Sequence, residues 1–145
     1  MVATDRRWEE LNMSRSRLAS ASLLAGLCLV HVAVSAQQFP HMPTPSEIAV
    51  MPEYCQAKMG TNAALSDAWR LRMGPDKYMH LHHYCHGLNA MNRLPMAADK
   101  QTRRDLLQRA IQEFDYVIRN WPADFALTID AKNKRAMAES RLRMQ

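Results

Sequence analysis

From Leu107 to Trp121 the apolar residues Leu107, Ala110, Ile111, Phe114, Val117, Ile118 and Trp121 recur at i, i+3, i+4 and i+7 without a break. A helix of 3.6 residues per turn puts that set on one face. The opposite face carries Arg103, Arg104, Gln108, Gln112, Glu113 and Arg119, as a solvated face should. Asp99 or Thr102 can cap the start, and Pro122 stops it. Nowhere does the chain sustain the apolar–polar alternation of a strand, and it is rich in Ala, Leu and Met and poor in Gly. The expected fold class is therefore all-α.

A second stretch, DKYMHLHHYCHGLNAMNR from Asp76 to Arg93, concentrates four histidines and a cysteine. On a helix, Tyr78, Leu81, Tyr84, Cys85, Leu88 and Met91 gather on one side. His82, His83 and His86 are expected on the opposite flank, with His80 at the edge of the stripe. Asp76 is the expected cap.

The segments between these landmarks are short. Ser46 can cap a brief helix with Glu47 in its first turn. Pro52 suits the start of another, carrying Glu53, Tyr54 and Cys55 and ending near Gly60. Thr61 or Asn62 can cap AALSDAWRLRM, which is expected to carry Leu65, Trp69 and Leu71 toward a core and to stop at Gly74-Pro75. A last helix, about residues 128–143, has Ile129, Ala136, Met137 and Leu142 as a thin apolar set and reads as a terminal cap. Four or five antiparallel helices with short turns result, one domain over residues 47–145.

The N-terminus is set aside from that domain. Residues 18–36, LASASLLAGLCLVHVAVSA, form an apolar run behind Arg15 and Arg17 and end in Val34-Ser35-Ala36. A basic flank, an apolar run and a small-residue exit make a secretory signal peptide, cleaved after Ala36. Retention as a membrane anchor is the alternative, because the run reaches the lower limit for a bilayer span. Residues 1–12 fit poorly into such a leader, so Met13 is a candidate start and the first twelve residues an upstream extension. Residues 37–46, QQFPHMPTPS, read as an extended, exposed, proline-rich lead-in.

Without residues 1–36 the chain holds 15 Lys or Arg against 11 Asp or Glu, a net of +4. These charges are interspersed, with no basic block beyond Lys132 to Arg135 and no aromatic platform, so nucleic acid is not an expected partner. The location expected is periplasmic or secreted.

Ala110, Phe114, Val117 and Pro122 stand at offsets 0, 4, 7 and 12, and Tyr84 with Gly87-Leu88 lie upstream. This resembles the second and first helices of a tetratricopeptide repeat (TPR). The chain departs from that family in spacing, since Gly87 to Ala110 is 23 residues where the repeat has about twelve. Extra helical turns or a long connection must fill the difference. The resemblance covers roughly residues 77–144 and implies a scaffold of antiparallel helical hairpins that binds a protein or peptide. A single repeat cannot bury its own apolar faces, so earlier segments, or a second copy in a homo-oligomer, must cover them.

Leader removal leaves two cysteines, Cys55 and Cys85. In an oxidising compartment such a pair most often forms a disulfide, here closing a loop of about 30 residues. Unpaired buried thiols and thiolate metal ligation are the alternatives.

His82 and His86, four apart, have the spacing that lets two imidazoles converge on a metal, with His83 or Met79 as further donors. A periplasmic protein holding zinc or copper is thus the second functional reading. The first has no cofactor. It is a non-catalytic envelope protein whose groove-facing candidates are Tyr78, His82, His86, Asn89 and Asn92. Catalysis is not expected: there is no local Ser–His–Asp set, Gly-rich phosphate loop, CxxC or HExxH. The 11 methionines lie at core-like spacing and read as packing.

Overall fold

The computed structural model describes residues 39–145; the leader, with its expected cleavage site, lies outside the described residues. Within them the chain is all-helical, with six α-helices and a 3-10 turn and no strand. No described helix is long and apolar enough to cross a membrane.

Helix α1 (Pro45–Ala49) starts one residue before the expected cap, Ser46. Thr44, not Ser46, is the N-cap. Its Oγ1 accepts from the Glu47 N–H, and the Glu47 carboxylate accepts from the Thr44 N–H at 2.7 Å. Proline at N1 favours this register, because it lacks the N–H that would go unpaired there. Helix α2 (Glu53–Met59) follows Pro52 as expected. Gln56 ties α2 back to the end of α1 by donating to the carbonyls of Ala49 and Met51.

Helix α3 (Ala63–Met73) is capped by Asn62, whose side chain accepts from the Leu65 N–H at 3.0 Å. Gly74 alone joins α3 to α4, at φ +87°, a conformation an L side chain rarely adopts. Its N–H closes α3 on the Arg70 carbonyl and its carbonyl opens α4 on the Tyr78 N–H. Pro75 then takes the first position of α4 (Pro75–Arg93), so Gly74 caps that helix and Asp76 sits in its first turn.

Leu71, expected in the core, is 87% exposed, and Met73 is buried in its place. The reverse of direction at Gly74 selects the last residue of α3 for burial, not the last leucine.

Helix α4 is the central element. It contacts α2 and α3 on one side and α5 on the other. Tyr78, Leu81, Tyr84 and Cys85 are buried as the periodicity implied, while Leu88 and Met91 are half-buried. His86, Asn89 and Arg93 are buried too, outside the apolar stripe.

A 3-10 turn (Leu94–Met96) leads to α5 (Lys100–Asn120), capped by Asp99, which accepts from both the N–H and the hydroxyl of Thr102. Leu107, Ala110, Phe114 and Val117 are fully buried. The indole N–H of Trp121, at the end of α5, donates to the Lys77 carbonyl at the start of α4, which sets the two helices antiparallel.

Helix α6 (Ala126–Arg143) packs back along α5. Its inward face is only partly the expected one, Leu142 packing against the core as expected. Thr128, Ala131 and Ala138 are buried, whereas Ile129 and Met137 are about half exposed and Ala136 is exposed. Small residues win that face because α6 lies close along α5, and bulk is turned outward. An Arg135–Asp115 pair at 2.7 Å fixes the same orientation.

Helices α4 and α5 approach closely at Gly87. A Cβ there would meet three atoms of the Phe114 ring at 2.7–3.0 Å, and Phe114 is itself fully buried. Gly87→Ala is therefore expected to destabilise the fold by about 1–2 kcal/mol, the overpacking cost exceeding the gain in helix propensity. Urea unfolding checks this. Phe114→Leu in the same chain should recover part of the loss, and a stabilised Gly87→Ala protein would refute the close contact.

Candidate functional site

Cys55 on α2 and Cys85 on α4 form a disulfide with a Cα–Cα distance of 5.6 Å, and both are fully buried. The pairing fits an oxidising, exported environment. It fastens the short α2, which by itself buries little, to the longest-buried helix of the fold.

Beside this cross-link the histidines form a row. His41, from the segment before α1, stacks on His86 with ring centroids 4.8 Å apart and planes 17° apart. His86 meets His82 edge-on at 6.2 Å, and His82 lies 4.1 Å from His83. His83 stacks on Tyr116 of α5 at 3.6 Å, with its Nδ1 2.7 Å from Glu113. The Tyr116 hydroxyl in turn is 3.2 Å from His80 Nδ1. These imidazoles are tied chiefly to the protein's own side chains. Among the described residues no group of three or more His, Cys, Asp or Glu is placed to hold a metal ion.

The segment expected as an exposed lead-in is exposed at Pro40, His41, Met42, Thr44, Pro45 and Ser46, yet it is also docked on the fold, with Pro43 buried. Arg93, 1% exposed, is its anchor. Nε and Nη2 of Arg93 donate to the two Glu47 carboxylate oxygens, Nη1 to the Pro40 carbonyl and Nη2 also to Met42 O at 3.3 Å. The Asn89 oxygen, in the amide orientation that suits its neighbours, accepts from the same guanidinium at 3.1 and 3.2 Å. The cation also lies 5.3 Å from the centroid of the Phe39 ring. A planar fork with five donors suits this many acceptors, which a lysine could not reach.

This docking explains why His86 is buried despite facing away from the apolar stripe: His41 lies on it. Of the five groove candidates, Tyr78, His86 and Asn89 are interior. The Tyr78 hydroxyl donates to the Ala57 carbonyl at 3.0 Å. His82 is partly exposed, with Nδ1 on the Met79 carbonyl at 2.9 Å, and Asn92 is exposed. The five do not form one surface.

Two groups in the docked segment's interface titrate abnormally. Hydrogen bonding to Arg93 holds the Glu47 carboxyl down at about 2. Burial pushes His86 down to about 4, opposed by Glu113 and reinforced by His41, His82 and His83. Burial and the neighbouring His83 also lower His82.

The sign follows for both. His86 is neutral in the fold and would be protonated first in the unfolded chain, so its contribution is lost as pH falls from about 6.5 to 4. Glu47 is ionised in the fold, and its contribution is lost from about 4.5 to 2. Together they predict a stability that falls by roughly 2–3 kcal/mol between pH 6.5 and 4 and continues to fall below. Denaturant titrations at pH 7, 5.5 and 4 read this, and His86→Gln should flatten the upper window only.

The third feature was not anticipated. Tyr54 on α2, Trp69, Arg72 and Met73 on α3, and Phe125 and Leu127 at the start of α6 enclose a cavity of about 260 Å³ open to solvent. Tyr54 and Trp69 meet edge to face at 5.7 Å, and Phe125 is held edge-on by Trp121 at 5.2 Å. Arg72 stacks over the Trp69 ring at 4.8 Å, and Lys77 lies 5.7 Å from the Phe125 ring centroid. Behind the groove the Tyr84 hydroxyl donates a short hydrogen bond to Asp130, linking α4 to α6, and Lys134 lies 3.6 Å from the same carboxylate. Burial, with Asp130 adding to it, raises the Tyr84 phenol far above its usual range, so Tyr84 is a fixed donor here. Trp69 and Phe125 are visible as aromatics in the sequence, but their convergence depends on the two turns at Gly74 and Pro122.

Comparisons with protein-family models, with curated proteins and with solved structures each returned no match.

Proposed function

We propose that the protein is an exported, non-catalytic binding module of the cell envelope, built on a tetratricopeptide-like helical hairpin, and that it engages a protein or peptide. The observation that carries this reading is the open groove between α2, α3 and the start of α6. Four half-buried apolar side chains, Tyr54, Trp69, Phe125 and Leu127, line it beside a disulfide that holds α2 in place. Aromatic anchors on a preformed frame are what a recognition surface needs.

Two further features support it. Two of the strongly shifted groups, Glu47 and Tyr84, are taken up by the protein's own Arg93 and Asp130, and the third, His86, is covered by the His41 ring, which is unlike the arrangement of an acid–base catalyst. The hairpin reading gains from Gly87 meeting Phe114, the positions the resemblance singles out on its two helices. The extra residues between Gly87 and Ala110 are accommodated by longer helices, α4 running on to Arg93 and α5 beginning at Lys100.

The test is site-specific photo-crosslinking in the native host, with the probe at Leu127 on the groove and at Arg104 on the far side. The reading expects one discrete adduct at Leu127, absent at Arg104 and abolished by Trp69→Ala in a protein of unchanged melting temperature. No adduct at Leu127, or one indifferent to Trp69→Ala, would defeat it.

A further inference from the structure

We infer that the groove takes one large apolar side chain from a peptide segment whose neighbouring residues are acidic. This rests on the binding-module reading and names the chemistry of its partner. At about 260 Å³ the cavity is below the range of pockets that enclose whole small molecules, but it is the right scale for a single aromatic or long aliphatic side chain. Its walls are Tyr54, Trp69, Met73, Phe125 and Leu127, all able to contact such a group at van der Waals distance.

The charge at its edge selects the flanks. The Arg72 guanidinium lines the cavity and lies over Trp69, 4.8 Å from the ring centroid, and Lys77 sits near Phe125. Neither cation has a carboxylate within ion-pair distance among the described residues, whereas Arg70, close by on α3, is paired with Asp67. Asp130 is taken by Tyr84 and Lys134. Asp76 and Asp124 are neighbours in sequence of Lys77 and Phe125 and leave Arg72 uncompensated. A guanidinium held over an aromatic ring keeps its donors for bidentate contact, so a carboxylate beside the anchored side chain has a partner in place.

The experiment uses the full chain, expressed with its leader and purified oxidised, with ¹⁵N label and two synthetic peptides, acetyl-Asp-Phe-Asp-Glu-amide and acetyl-Lys-Phe-Lys-Lys-amide. The acidic peptide is expected to move the Trp69 indole N–H resonance and the Leu127 amide with a Kd on the order of 1 mM. The basic peptide should bind at least about tenfold more weakly. Arg72→Glu, at an exposed position that leaves the fold intact, should reverse the order.

Equal response to both peptides, a preference unmoved by Arg72→Glu, or shifts that bypass Trp69 would overturn the inference. So would the absence of any response up to about 10 mM. A crosslinked partner that binds Arg72→Glu undiminished would refute the acidic specificity alone. Loss of the Leu127 adduct would instead remove the underlying reading.

Discussion

Arg93→Ala is expected to cost about 3 kcal/mol of stability and to free residues 39–47 from the rest of the fold. The guanidinium is almost fully enclosed and holds the Glu47 carboxylate, two backbone carbonyls and the Asn89 amide oxygen at once. Truncation leaves the buried Asn89 amide oxygen without its donor, an unpaired group that carries its own desolvation cost, while the Pro40 and Met42 carbonyls, on exposed residues, regain water with the segment. Glu47 is about a fifth exposed and regains water once the segment lifts, which keeps the figure at the lower end for a buried pair. Hydrogen exchange is the direct reading. Amides of residues 42–49 should lose protection in Arg93→Ala while α5 stays protected. Glu47→Gln, which keeps shape and one acceptor, should cost clearly less. A loss below about 1 kcal/mol in Arg93→Ala would mean that the segment is held by packing and not by the cation.

Removing the disulfide is the second large effect. Cys55 and Cys85 are separated by 30 residues, and cross-linking such a loop is worth on the order of 3 kcal/mol in the chain-entropy model. The Cys55→Ser, Cys85→Ser chain should therefore unfold some 10–15 °C lower than the oxidised protein. The loss should be concentrated at α2, which has seven residues and only Cys55 and Ala57 fully inside. Since Tyr54 is the next residue, groove binding should weaken along with stability. Differential scanning calorimetry with and without reductant gives the first number, and exchange at 53–59 against 106–117 gives the second. A melting temperature indifferent to reduction would show α2 to be held by Gln56 and the surrounding side chains alone.

These two effects fall on opposite ends of what the sequence makes legible. The cysteine pair follows from arithmetic: two cysteines stand outside residues 1–36, and in an oxidising compartment a chain of this size most often pairs them. Arg93 gives no comparable sign. It stands at the end of a helix, where a basic residue usually complements the helix dipole in solvent, and nothing local marks it as the anchor for a segment some 50 residues away. His86 is of the same kind. Its place on the helix wheel sets it apart from the apolar stripe, and it is buried because His41 comes to lie on it.

The helices themselves were readable because their signals are local. Proline and glycine punctuation at Pro52, Gly60, Gly74, Pro95 and Pro122, and the caps at Asn62 and Asp99, act within one or two turns of the residues they govern. The unbroken periodicity of α5 likewise needs no knowledge of the rest of the chain, and its buried set matched expectation at Leu107, Ala110, Phe114, Val117 and Trp121. The inward face of α6 was misjudged because large apolar residues are the usual guide to burial. There Thr128, Ala131 and Ala138 are buried while Ile129 and Met137 turn outward.

What the sequence determined by itself is thus the helical class, most helix limits and the pairing of its two domain cysteines, all fixed by period, punctuation and composition. Tertiary structure alone decided which polar residues are sealed inside and where the aromatic groove opens. Both depend on segments distant in the chain meeting across α4, and no local periodicity encodes the partner that a side chain will find there.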